Sequence, residues 1–228
     1  MTTDRRTLLA ELERRLATTP HDTEDEAIVR RVQSELDSDP ELLGELIKKA
    51  STAVREWLVE SLPQLIGIDV PFHLMQVYKR DPDPDIRSAA LQLLMANHPS
   101  RARELLVDLR RKVHSDDYFE PEDALWALLS LRDDESAGEI RQLAKSRSDG
   151  LGLIAGIVAD GLDGREDVIA ARLLRHDEHY LTNWLARTAA TLATPQLLEA
   201  LRRAARDLPD EDCRIECATW LERRTAAR

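Results

Sequence analysis

Aromatic residues, glycine and cysteine are all scarce in this chain. Phe, Trp and Tyr make up 4% of 228 residues, glycine occurs 8 times and cysteine twice. Leu, Ala, Glu, Asp and Arg dominate instead, which favours helices over strands. The two cysteines, Cys213 and Cys217, stand at i, i+4 on one expected helix. They suit a reducing compartment and a helical core, as small apolar groups. A redox role needs an environment that lowers a thiol pKa, and the sequence offers none. No apolar run approaches the ~20 residues of a membrane span. No apolar stretch follows Met1-Thr2-Thr3-Asp4-Arg5-Arg6, so no signal peptide is expected and the place expected is the cytoplasm. A basic arm is also missing. The net charge is −11 and is spread evenly along the chain, which argues against nonspecific nucleic-acid affinity and leaves room for a local basic groove. No GxSxG, HExxH, CxxC or P-loop pattern occurs, so neither a metal nor a cofactor is expected.

What is present is organised around Asp81-Pro82-Asp83-Pro84-Asp85-Ile86-Arg87-Ser88-Ala89-Ala90-Leu91-Gln92-Leu93-Leu94. Two prolines end any preceding helix, because proline fixes φ and cannot donate a hydrogen bond. Asp83 then stands as an N-cap, with Pro84 at the first helical position. Asp85 lies in the first turn, where the helix dipole favours negative charge. Ile86, Ala90 and Leu94 follow at i, i+4, i+8 and form one face. Ala89 and Ala90 are small enough for another helix to approach closely.

The same ladder recurs. Val54-Arg55, Trp57-Leu58 and Leu62 fit it upstream, and Cys213-Arg214 fits it near the end. Taking Leu62, Leu94, Leu131, Leu162, Leu192 and Leu221 as final positions, the spacings are 32, 37, 31, 30 and 29 residues. A period of that length with two helices per repeat is the mark of stacked helical hairpins. The acidic Pro turn, apolar-Arg pair, two small residues and Leu resemble the second helix of a HEAT repeat. The resemblance implies an all-α, right-handed α–α superhelix of about six or seven hairpins, as a single domain over 1–228. It also implies that Asp83, Arg55, Arg87 and Arg214 are structural, bonding within and between repeats.

Two helices over about 4–18 and 24–36 lack the small-residue ladder. They are expected to cap the N-terminal end of the repeats at 37–224, with Thr23 and Glu26 as a capping box. Pro63 is expected to kink the last turn of the Val54–Leu62 helix. A long helix is expected over 101–113. The longest irregular stretch, 114–123, accounts for the 37-residue spacing and holds five acids beside Tyr118 and Phe119. A loop that lengthens one repeat often maps to a binding face.

Each chemical motif has a plainer counterpart. Gly150-Leu151-Gly152-Leu153-Ile154-Ala155 has the letters of a dinucleotide fingerprint, but that motif needs a strand before it, and here an expected helix precedes it. His176-Asp177-Glu178-His179 gathers four potential metal ligands, and a capping turn explains them equally. Trp57, Trp126, Trp184 and Trp220 all fall on expected second helices, where buried packing competes with a role as interface anchors. Leu125 and Leu129 fall where other copies have Glu56 and Glu60, or Ser88 and Gln92. They mark either an apolar patch or a shifted register.

Three functions follow. The first is a non-enzymatic scaffold or adaptor whose concave face binds a protein, through Trp57, Leu125, Trp126, Leu129, Tyr118 and Phe119. The second is an acidic inhibitor of the immunity type, masking a basic partner. The third, by resemblance of length and architecture, is a HEAT-like alkylpurine DNA glycosylase, with Trp184 and Asp177 or Asp160 facing the lesion. The third needs a basic groove, so the decisive point is whether Arg55, Arg87, Arg187 and Arg214 converge on one face or are taken up in local bonds.

Overall fold

The structure is a computed structural model. It describes residues 7, 9–14, 29–30, 32–35, 42–64, 69–115, 120–175 and 179–226. Every regular element among them is helical, and no strand occurs among the described residues. Packing divides the chain into two compact units, 1–103 and 104–228. Most of the N-terminal cap expected over 1–36, including Thr23 and Glu26, lies outside the described residues.

The first unit contains α1 (Leu42–Lys49), α2 (Thr52–Ser61), α3 (Val70–Arg80) and α4 (Pro84–Asn97). Each start has a physical cause. Ser51 accepts a hydrogen bond from Val54 N and caps α2; its own N and Oγ donate to Glu13, at 2.7 and 2.6 Å. Asp69 accepts from Phe72 N to cap α3. Asp83 accepts from Asp85 N at 3.0 Å, with Pro84 at the first helical position of α4. Pro63 does not kink α2. The α-helix stops at Ser61 and passes into a 3-10 turn, Leu62–Gln64, which spares proline the i→i−4 bond it cannot donate. Val54, Leu58 and Leu62 on α2 are buried, as are Ile86, Ala90 and Leu94 on α4. Burying one such aliphatic side chain contributes roughly 1.5–3 kcal/mol. α3 packs on α4, α2 on α4 and α1 on α3.

The second unit contains α5 (Leu106–Lys112), α6 (Glu120–Ser130), α7 (Ala137–Ser146), α8 (Gly150–Leu162), α9 (Glu166–Arg175), α10 (Thr182–Leu192), α11 (Pro195–Asp207) and α12 (Glu211–Ala226). The expected helix over 101–113 is interrupted by a 3-10 turn, Arg103–Leu105. Sequential partners pack in pairs: α5 with α6, α7 with α8, α9 with α10, α11 with α12. The second members also pack in order, α6 on α8, α8 on α10 and α10 on α12, and α6 touches α10 directly. Gly161 makes that close approach possible. A Cβ there would lie 2.8 Å from Leu129 Cδ1 of α6, and 3.4 Å from Thr188 Cγ2 and Leu192 Cδ1 of α10. A larger residue would push the two flanking helices apart.

Burial fixes the register on α6 and α10. Ala124 and Leu128 are buried at i, i+4, and so are Leu185 and Ala189. The ladder in these helices therefore starts one residue later than endings at Leu131 and Leu192 imply. Leu125 and Leu129, 0% and 1% exposed, are core and not an apolar patch. The shift brings Trp126 and Arg187 to the open position that Glu56 and Ser88 hold in the first unit.

Candidate functional site

Most of the arginines are committed to local bonds. Arg55 Nε donates to Asp81 Oδ2 at 3.0 Å, and Arg55 Nη1 donates to Ala50 O at 2.9 Å. Arg87 Nη1 donates to the carbonyls of Asp81 and Pro82, and Arg214 Nη1 to those of Leu208 and Pro209. Both arginines thus reach the carbonyls five and six residues earlier, and tie each helix to its own leading turn. Arg110 grips Asp133 with two donors and adds Glu135, while Arg141 pairs with Asp163.

Arg187 on α10 is held differently, by aromatic rings. Its guanidinium lies 4.1 Å from the Trp126 ring, 5.2 Å from Trp184 and 5.6 Å from Trp220. Three of the chain's four tryptophans, from α6, α10 and α12, thus surround one cation. Such contacts stabilise by about 0.5–2 kcal/mol each, more as water is excluded. Arg187 makes no hydrogen bond or ion pair among the described residues, and its Nε is buried without an acceptor. Burial brings its pKa down to about 10, Asp123 and Glu122 pull it back up, and Arg223 pushes it down. The side chain stays charged at neutral pH. Arg223 stacks on the same Trp220 ring at 4.9 Å. Trp220 Nε1 donates to Asn183 Oδ1 at 2.7 Å, which fixes that indole. Trp126 Nε1 is buried and has no acceptor.

The acidic side of the cluster is Glu122 and Asp123, on the first turn of α6. Burial raises the Glu122 pKa, Asp123 raises it further, and Arg187 opposes both. Neither carboxylate pairs with Arg187. Arg187 thus holds an unused buried donor beside two carboxylates in a partly dry site.

The sequence-derived candidates fall in different places. Trp126 belongs to this cluster and is partly exposed. Trp57 is 3% exposed and packs in the core of the first unit. Tyr118, Phe119 and Asp177 lie outside the described residues. Asp160 pairs with Arg165 at 2.8 Å and lies 4.0 Å from Arg172. Gly150 to Ala155 opens α8 as an ordinary helix start: Asp149 accepts from Gly152 N, and Gly152 leaves room for the carbonyl of Arg147. The described residues contain no group of three or more His, Cys, Asp or Glu side chains able to hold a metal ion. Cys213 and Cys217 are buried thiols, and burial pushes Cys217 up to about 12. No helix among the described residues is long and apolar enough to cross a membrane.

Arg223 and Glu122 are absent from the sequence-derived candidates, and Trp184, Trp220 and Arg187 are named there without being placed together. Two signals pointed to them. Trp184-x-x-Arg187 and Trp220-x-x-Arg223 repeat one i, i+3 spacing on two helices of successive pairs, and Glu122 stands at i−4 from Trp126. No family model, no curated protein and no solved structure matches the chain.

Proposed function

We propose that the chain is a HEAT-like α–α superhelix that performs no chemistry and binds a protein partner on the face carrying Trp126, Trp184, Trp220 and Arg187. The ordered packing of α6, α8, α10 and α12 supports the repeat architecture, as do the matching carbonyl bonds of Arg87 and Arg214. The observation that carries the functional reading is Arg187: a cation enclosed by three indoles, with no acceptor of its own. Tryptophan and arginine are the residues that most often anchor protein interfaces. A cytoplasmic location belongs to the same proposal.

Base excision is a second reading with one observation in its favour: two tryptophans, an arginine and a carboxylate of raised pKa share the site. Against it, Arg55, Arg87 and Arg214 are taken up in local bonds, and the chain carries −11. Phosphate neutralisation, which dominates nucleic-acid affinity, is not favoured by that charge balance.

The test is affinity capture from native lysate at low and moderate salt, with wild type beside Trp184→Ala and circular dichroism as the folding control. One stoichiometric protein partner is expected with wild type, reduced tenfold or more by Trp184→Ala, in keeping with about 2 kcal/mol for an aromatic anchor. A basic partner released by moderate salt would favour the inhibitor form of this reading. Nucleic acid surviving moderate salt, or capture indifferent to Trp184→Ala, would overturn it.

A further inference from the structure

The open edge of Arg187 defines what kind of group the site takes. A guanidinium has five N–H donors, all in its plane, and no acceptor. The rings of Trp126, Trp184 and Trp220 lie within 4.1 to 5.6 Å of its carbon. Indole π faces stabilise the charge but accept none of the in-plane donors as a carboxylate oxygen would. Arg187 is partly exposed, so its fork is within reach of an incoming group, whereas its Nε is already cut off from water without a partner. A buried donor without an acceptor weighs against folding. Leucine or methionine would fill the same volume without that cost. A planar, two-oxygen anion would complete the hydrogen bonds and neutralise the charge in one step.

The surroundings select a carboxylate. Arg223 on the same Trp220 ring adds a second positive charge. Glu122 and Asp123 lie close enough to act on Arg187, and a dianionic phosphate would be repelled by both. A single negative charge on a flat, partly apolar group meets less repulsion there and can lie between indole walls. Resting on the protein-binding reading above, we propose that Arg187 is the receptor for one carboxylate of a partner protein, an aspartate or glutamate side chain, clamped in bidentate fashion between Trp126, Trp184 and Trp220.

The probe is a blocked pentapeptide, Ala-Leu-Glu-Leu-Ala, compared with its glutamine counterpart and with inorganic phosphate at equal ionic strength. The full chain is labelled with 15N, and the Arg187 Nε–H resonance is identified by its loss in Arg187→Lys. The glutamate peptide should shift that resonance saturably, with a parallel change in tryptophan fluorescence. Affinity should fall about tenfold in Arg187→Lys, which keeps the charge but loses the planar fork. An equal response to the glutamine peptide would overturn the carboxylate assignment and leave the protein-binding surface standing. A stronger response to phosphate would reassign the ligand class and overturn it as well. No response to any probe, with capture of a protein still lost in Trp184→Ala, would also overturn this inference alone. Loss of the Trp184 dependence would remove the binding surface itself.

Discussion

Glu122 shows how one residue carries the strain of the site. Burial and Asp123 hold its carboxyl above the ordinary range, despite Arg187. A group whose folded pKa is raised favours the folded state below its unfolded pKa, and that contribution is lost as pH rises through the folded value. Ionisation of Glu122 therefore weighs against folding. Glu122→Gln should raise thermal stability at pH 7 by about 0.5 kcal/mol, a small figure because solvent screens a half-buried group. The gain should vanish below about pH 4, where Glu122 is protonated in both states. Melting curves of the two proteins across that range check the sign. Asp81 is buried and paired. Its side chain is 0% exposed, and it accepts from Arg55 and from Asp83 N. Asp81→Ala should cost about 3 kcal/mol in denaturant unfolding, since it leaves Arg55 buried without its counter-charge.

At the scale of the element, a single glycine controls the site. Gly161 lets α6 and α10 close over α8, and Trp126 meets Arg187 where those helices touch. Gly161→Val places branched atoms against Leu129, Thr188 and Leu192. A loss of about 2 kcal/mol is expected from overpacking, read by thermal unfolding, with a change in tryptophan emission as the cluster opens. This is also where the sequence was hardest to read. The start of α4 was legible, because Asp83 and Pro84 act locally and Ile86, Ala90 and Leu94 follow directly from that cap at i, i+4, i+8. On α6 and α10 the apolar residues cluster without such a local anchor. Leu125, Leu128, Leu129 and Leu131 give no phase, and Ala186, Ala189 and Ala190 give little more. A one-residue error in such a run moves the whole open face by 100°. It turned Leu125 into a surface residue and hid the alignment of Trp126 with Arg187.

At the scale of the whole molecule, the charge balance and the arginine bonds lead to one conclusion. The chain holds 27 arginines and 5 lysines within a net charge of −11. Arg55, Arg87 and Arg214 bond to turn carbonyls or buried aspartate, so they stabilise local helix starts and are not left to recruit a polyanion. Arg187 is set apart by its tryptophans, and binding energy is expected to concentrate there. Composition alone could not reveal this, since three of the four tryptophans in 228 residues meet only after folding. The measurement that tests the central claim most directly is hydrogen–deuterium exchange on the chain with and without its captured partner. Slowed exchange across Glu120–Ser130, Thr182–Leu192 and Glu211–Ala226, with α2 and α4 unchanged, is the expected result. Protection confined to α2 and α4, with α6, α10 and α12 exchanging as in the free chain, would contradict it.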